Sequence, residues 1–139
     1  MKIMLIGRTG SGKTTLLQRL TNQKLEYKKT QMVSYENQII DTPGEYVENK
    51  SYYRALNVIS QDVDTVIFVQ AANDDEMIFP PQFSTMFSGK KIYGLITKKD
   101  IFPNTEKVKK YLEDAGVEKI FETGIDDCES LNFLQESLG

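Results

Sequence analysis

Residues 7–14 read GRTGSGKT. They fit the spacing G-x-x-x-x-G-K-[ST] with Gly7, Gly12, Lys13 and Thr14, and no other feature constrains the fold of this chain as much. Such a loop needs a strand before it and a helix after it. KIMLIG (2–7) is an apolar run suited to a strand buried on both faces, and TTLLQRL (14–20) places Leu16, Leu17 and Leu20 on one side of a helix. The glycines let the backbone turn so that several N–H groups face one anion, and the helix N-terminus adds the positive end of its dipole. In that geometry Lys13 reaches the β- and γ-phosphates of a nucleotide and Thr14 offers its hydroxyl to Mg²⁺. Arg8, Thr9, Gly10, Ser11 and Thr15 join them as nucleotide-binding candidates by position.

The rest of the chain alternates short apolar runs with amphipathic stretches. QMVSY (31–35) and QIID (38–41) read as two strands joined by a hairpin turn at Glu36-Asn37. Residues 44–50 read as a loop and SYYRALNVIS (51–60) as a helix. DTVIFVQ (64–70) and KIYGLIT (91–97) are buried strands, separated by a turn-rich loop, NDDEMIFPPQ (73–82). NTEKVKKYLEDAG (104–116) is a helix capped by Thr105 or Asn104 and ended by Gly116. KIFET (119–123) is a last strand and SLNFLQESL (130–138) a last helix. Phe79, Phe83 and Phe87 read as core packing under a loop rather than as a partner surface. Alternating strands and helices imply an α/β fold of three layers, with a mostly parallel sheet between helices and ligands at the carboxyl ends of its strands. A chain of 139 residues with no repeat or linker reads as one domain, 1–139.

Composition narrows the chemistry. Histidine is absent, which removes Ser-His and Cys-His nucleophile pairs and histidine metal sites. The net charge is −3, without the basic excess of a nucleic-acid binder. Cys128 is the one cysteine, so no intrachain disulfide forms and a cytoplasmic location is expected. No signal peptide is visible, and no apolar run nears the roughly 20 residues that cross a membrane.

Two strand ends then say more than the loop. QIIDTPGE (38–45) puts Asp41 at the end of an apolar strand, where a carboxylate can hold Mg²⁺, usually through a water. Gly44 follows with a backbone N–H for a γ-phosphate. Hydrolysis removes that phosphate, so the next segment would act as a switch. Asp, Thr, Pro and Gly are also turn formers, so this reading depends on the phosphate loop before it. Thr30 is the best-placed hydroxyl to close over Mg²⁺ and the γ-phosphate, with Thr21 as rival. GLITKKD (94–100) ends a buried strand with Thr97, Lys98 and Asp100. A carboxylate there accepts from guanine N1–H and N2–H₂, donors that adenine does not present in that geometry. Lys98 can lay its alkyl stem over the base.

Alone, the loop is similar to those of ABC transporter ATPases, but the chain has nothing like their LSGGQ signature. Nucleoside and shikimate-type kinases usually carry an arginine-rich lid, and no arginine follows Arg54 here. Phosphate loop, DTPG and TKKD in that order resemble the small GTPases, with Thr97 in place of the usual asparagine. The resemblance implies a final base contact at Thr123-Gly124, where FETGIDD departs from the family's S-A. Within that superfamily the opening KIMLIGRTGSGKTTL, the IIDTPGEY run and the compact length resemble the EutP/PduV family. That resemblance implies a link to ethanolamine and propanediol utilisation and to bacterial microcompartments, at whose outer surface a partner would be a shell or enzyme component. Family descriptions also carry ATP binding and an acetate-kinase role, which leaves an ATP-using phosphotransferase as the alternative. In many GTPases a glutamine follows DxxG and orients the attacking water. Glu45 holds that place, so Lys13 and Glu45 are the catalytic candidates, and slow GTP hydrolysis is expected, aided by an activator or by self-association.

Overall fold

The computed structural model describes residues 2–8, 38–99 and 101–122. Among them, five strands form one parallel sheet in the order β2-β1-β3-β4-β5. They are β1 (Lys2–Ile6), β2 (Gln38–Asp41), β3 (Thr65–Ala71), β4 (Lys91–Thr97) and β5 (Lys119–Glu122). Every neighbouring pair is parallel, so the carboxyl ends of all five strands lie along one edge of the sheet. β3 is central and all seven of its residues are buried; Ile3, Met4, Leu5 and Ile6 of β1 are buried too. Side chains alternate between faces, so this burial means that both faces are covered. The α/β reading and the parallel sheet are borne out.

Three α-helices accompany the sheet among the described residues: α1 (Glu45–Glu48), α2 (Tyr53–Ser60) and α3 (Glu106–Ala115). Short 3₁₀ turns at Lys50–Tyr52 and Phe83–Phe87 complete the described elements. The loop expected at 44–50 is instead a helical turn. Glu45 and Glu48 place negative charge in that turn, which favours its dipole, and Val47 is buried beneath it. The helix expected from Ser51 becomes α-helical only at Tyr53, because the Asn49 side chain accepts from Ser51 N–H and opens a 3₁₀ turn first. QIID is a strand as expected, paired in parallel with β1; its expected hairpin partner QMVSY lies outside the described residues. The helices expected at 14–20 and 130–138, and Cys128, lie outside them as well.

One face of the sheet carries an aromatic core. The Phe68 ring stacks on Phe79 at 4.6 Å and meets Phe83 and Phe87 at 5.4 and 6.0 Å. All four are nearly inaccessible, so the expected packing of Phe79, Phe83 and Phe87 holds. Gly94 lets α3 settle on the same face, since a Cβ there would stand 3.0 Å from Leu112 Cδ1. Gly116 ends α3 as expected, with a left-handed φ of 94° that favours glycine.

Candidate functional site

The carboxyl ends of β1, β2 and β4 carry the three motifs. Gly7 and Arg8 leave β1, Asp41 ends β2 beside Leu5, and Thr97 ends β4. Thr42 ties the second motif to the first. Its hydroxyl donates to the Leu5 carbonyl at 2.8 Å and its N–H reaches the same oxygen at 3.3 Å. The DTPG turn is thereby anchored to the strand that feeds the phosphate loop. Gly44 then opens α1 with ordinary right-handed dihedrals, φ −56° and ψ −34°, so the backbone here does not itself demand glycine. Glu45 is exposed in the first turn of α1, and its carbonyl accepts from Asn49 N–H.

The third motif is held by the backbone. The Thr97 carbonyl accepts from Ala72 N–H at 2.8 Å, which joins the ends of β3 and β4. Lys98 has a left-handed φ of 63°, and its carbonyl accepts from Ile101 and Phe102 N–H. A lysine in that region is a strained residue of the kind found where a loop must hold one shape.

Two charged clusters were not foreseen from the sequence. Arg8 turns its guanidinium sideways, with Nε 3.5 Å from Asp74 and Nη1 3.2 Å from Glu76. At the other end, Glu122 accepts from the Thr105 hydroxyl and pairs with Lys99 at 3.3 Å and Lys109 at 3.5 Å. Burial by itself pushes the Glu122 carboxyl up. The hydrogen bonds from Thr105 and Lys99 and the charges of Lys109 and Lys99 outweigh it, and the carboxyl titrates below its ordinary range. Thr105 holds the cap position of α3, and its carbonyl accepts from Lys109 N–H, but its hydroxyl is spent on Glu122, and Asn104 Oδ1 accepts from Glu106 N–H in its place. Neither cluster has a spacing signal; only β-α order places Arg8 beside Asp74, or Glu122 beside Lys99.

Of the residues proposed from sequence, the structure brings Gly7, Arg8, Asp41, Gly44, Glu45, Thr97 and Lys98 to the carboxyl edge of the sheet. Thr9, Gly10, Ser11, Gly12, Lys13, Thr14, Thr15, Thr30, Asp100, Thr123 and Gly124 lie outside the described residues. The expected Mg²⁺ donors, Thr14, Thr30 and Asp41, are hard oxygens of the type that ion takes, and Asp41 ends the strand beside the one that enters the phosphate loop.

A parallel sheet with a phosphate-loop strand beside a DTPG strand is an α/β P-loop nucleotide-binding fold. The chain belongs to the PduV-EutP family, described as ethanolamine utilisation – propanediol utilisation, whose pattern matches residues 1–138. It is 35% identical over 134 residues to the propanediol utilization protein PduV of Citrobacter freundii, covering 91% of this chain and 89% of that one. It is 36% identical over 141 residues to a protein of Salmonella typhimurium called "probable acetate kinase EutP", covering 99% of this chain and 88% of that one. GTPase Era of Glaesserella parasuis is 29% identical over 131 residues, covering 73% of this chain and 43% of its own. Among solved structures, the GDP-bound Roco2 RocCORdC of Methanosarcina barkeri shares the fold with a TM-score of 0.56 at 17% identity, over 99% of this chain and 47% of that one. Among the described residues no helix is long and apolar enough to cross a membrane.

Proposed function

We propose that this protein is a Mg²⁺-dependent guanine-nucleotide switch with slow GTP hydrolysis, acting in ethanolamine or propanediol utilisation. The observation that carries the reading is the strand order. β2, β1, β3 and β4 are parallel neighbours, so Asp41, Gly7 and Thr97 end on one edge. The GTPase Era relative and the GDP-bound Roco2 neighbour support a guanine nucleotide rather than an adenine one.

In this reading the phosphate loop, Gly7 to Thr15, holds the polyphosphate, with Lys13 on the β- and γ-oxygens. Thr14, Thr30 and Asp41 would hold Mg²⁺, which would supply charge neutralisation for the polyphosphate. Gly44 N–H meets the γ-phosphate, and departure of that phosphate on hydrolysis frees α1. Thr97, Lys98 and Asp100 read the base, completed by Thr123 and Gly124. Glu45 brings a negative charge toward the γ-phosphate, a repulsion of about 4 kcal/mol at ~4 Å and an effective dielectric near 20. It therefore shapes the switch turn rather than serving as an efficient base, which accounts for slow hydrolysis. An activator or self-association would supply what the chain lacks, and the output of the switch would be docking to a microcompartment shell or enzyme partner, from a cytoplasmic or shell-surface location.

Competition against a fluorescent GTP analogue tests the reading: GTP and GDP should displace it and ATP should not. The second reading, an ATP-using phosphotransferase, is favoured by the name "probable acetate kinase" that the EutP relative carries. Tight ATP binding with acetate-dependent ADP release would establish it instead.

A further inference from the structure

The loop leaving β3 touches both ends of the proposed site. Ala72 N–H binds the Thr97 carbonyl at the base-reading end, and Asp74 and Glu76 meet Arg8 at the phosphate end. The loop is built independently of Arg8. Gln70, wholly buried in β3, donates from Nε2 to the Glu76 carbonyl at 2.8 Å. Asp74 Oδ1 accepts from Glu76 N–H, and Asp74 N–H donates to the Ala71 carbonyl. Its far side is fastened to α3, where Tyr111 donates to the Asp75 carbonyl and Lys107 pairs with the Asp75 carboxylate.

We propose that the Arg8–Asp74 pair, extended by Glu76, is a brace that positions the entry of the phosphate loop for nucleotide binding, and that Arg8 acts through this brace rather than by touching phosphate. The Asp74 side chain is only 6% exposed. A carboxylate so enclosed is costly without a counter-charge; Glu76 N–H meets Oδ1, and Arg8 supplies a positive charge at Oδ2. Residue 8 follows Gly7, where the loop begins its turn, and fixing its side chain fixes where that turn starts. Two carboxylates face one guanidinium, so the cluster already carries one negative charge. Removing Arg8 would release the loop entry and leave two negative charges beside the polyphosphate.

The inference rests on the nucleotide-binding reading but not on which base is held. Its test is a double-mutant cycle with N-methylanthraniloyl-GDP and Mg²⁺ on the full chain: wild type, R8A, D74N and R8A/D74N. R8A should weaken binding about tenfold or more. D74N should weaken binding to a similar degree although it removes a negative charge near the polyphosphate, and R8A/D74N should be little worse than either single variant, because either change alone already breaks the brace. Were Arg8 a direct phosphate ligand, D74N would keep or raise affinity while R8A lowers it; unchanged or tighter binding in D74N, additive losses in the double variant, or wild-type affinity in R8A overturns the brace. R8Q replaces R8A in the cycle if R8A does not fold. A wild type that takes the ADP analogue over the GDP analogue sinks the guanine reading alone, and the cycle is then read with ADP. A wild type that binds neither sinks the nucleotide site and the brace together.

Discussion

Lys98 shows what a single residue contributes here. Its left-handed φ is disfavoured for any side chain but costs glycine nothing. Lys98→Gly should therefore leave stability unchanged or raise it by up to about 1 kcal/mol. Under the proposed function, guanine-nucleotide affinity should fall, because the stem that would lie over the base is gone. Urea unfolding beside nucleotide titration separates the two effects; a loss of stability would mean that the side chain holds the loop by contacts of its own. Glu45 is the opposite case. It is exposed in the first turn of α1, where a carboxylate suits the helix dipole. Glu45→Ala should change single-turnover GTP hydrolysis by less than about threefold. A large rate loss with GTP affinity kept would instead make Glu45 the base. Asp100→Asn belongs at this scale too: it should weaken guanine binding and admit xanthine, whose base presents an acceptor.

At the scale of elements, β4, α3 and β5 are sewn together by one carboxylate. Glu122 draws in Lys99 from the TKKD turn and Thr105 and Lys109 from the start and body of α3. Its carboxyl titrates below the ordinary glutamate range, so the unfolded chain takes up the proton at higher pH than the folded one. The stabilisation is fully present above the unfolded value and is lost as pH falls through the lowered folded value. Glu122→Gln should flatten the acid side of the stability curve, from the ordinary glutamate range downward, read as urea midpoint against pH. A curve with the same acid slope as wild type would show that other carboxylates carry it. Most element types are legible in the sequence, but the side-chain cap of α3 is not: Asn104 and Thr105 are both cap residues by type, and Glu122, seventeen residues on, draws the Thr105 hydroxyl away and leaves the cap hydrogen bond to Asn104. Residues 44–50 read as a loop for a related reason. Turn formers Pro43 and Gly44 dominate locally, while the burial of Val47 that sustains α1 comes from the tertiary fold.

Across the whole molecule, the sheet is held by its aromatic face. Phe68 contacts Phe79, Phe83 and Phe87 and has no exposed surface. Phe68→Ala should cost about 3–5 kcal/mol, the range for emptying a buried ring, measured by chemical denaturation. A much smaller cost would mean that the three remaining rings close over the gap. The sequence makes the parallel α/β fold and the order of the three motifs legible, because strand burial and phosphate-loop spacing are local patterns written in consecutive residues. It also carried the likeness to the PduV-EutP family through residues that stand next to each other. That Arg8 faces Asp74 and Glu76, and that Glu122 faces Lys99, follows from how the strands pack and not from the chain read in order. Those partners are 66 and 68, and 23, residues apart, and charge pairing at such distances is chosen by which strands become neighbours, not by any local preference of the chain.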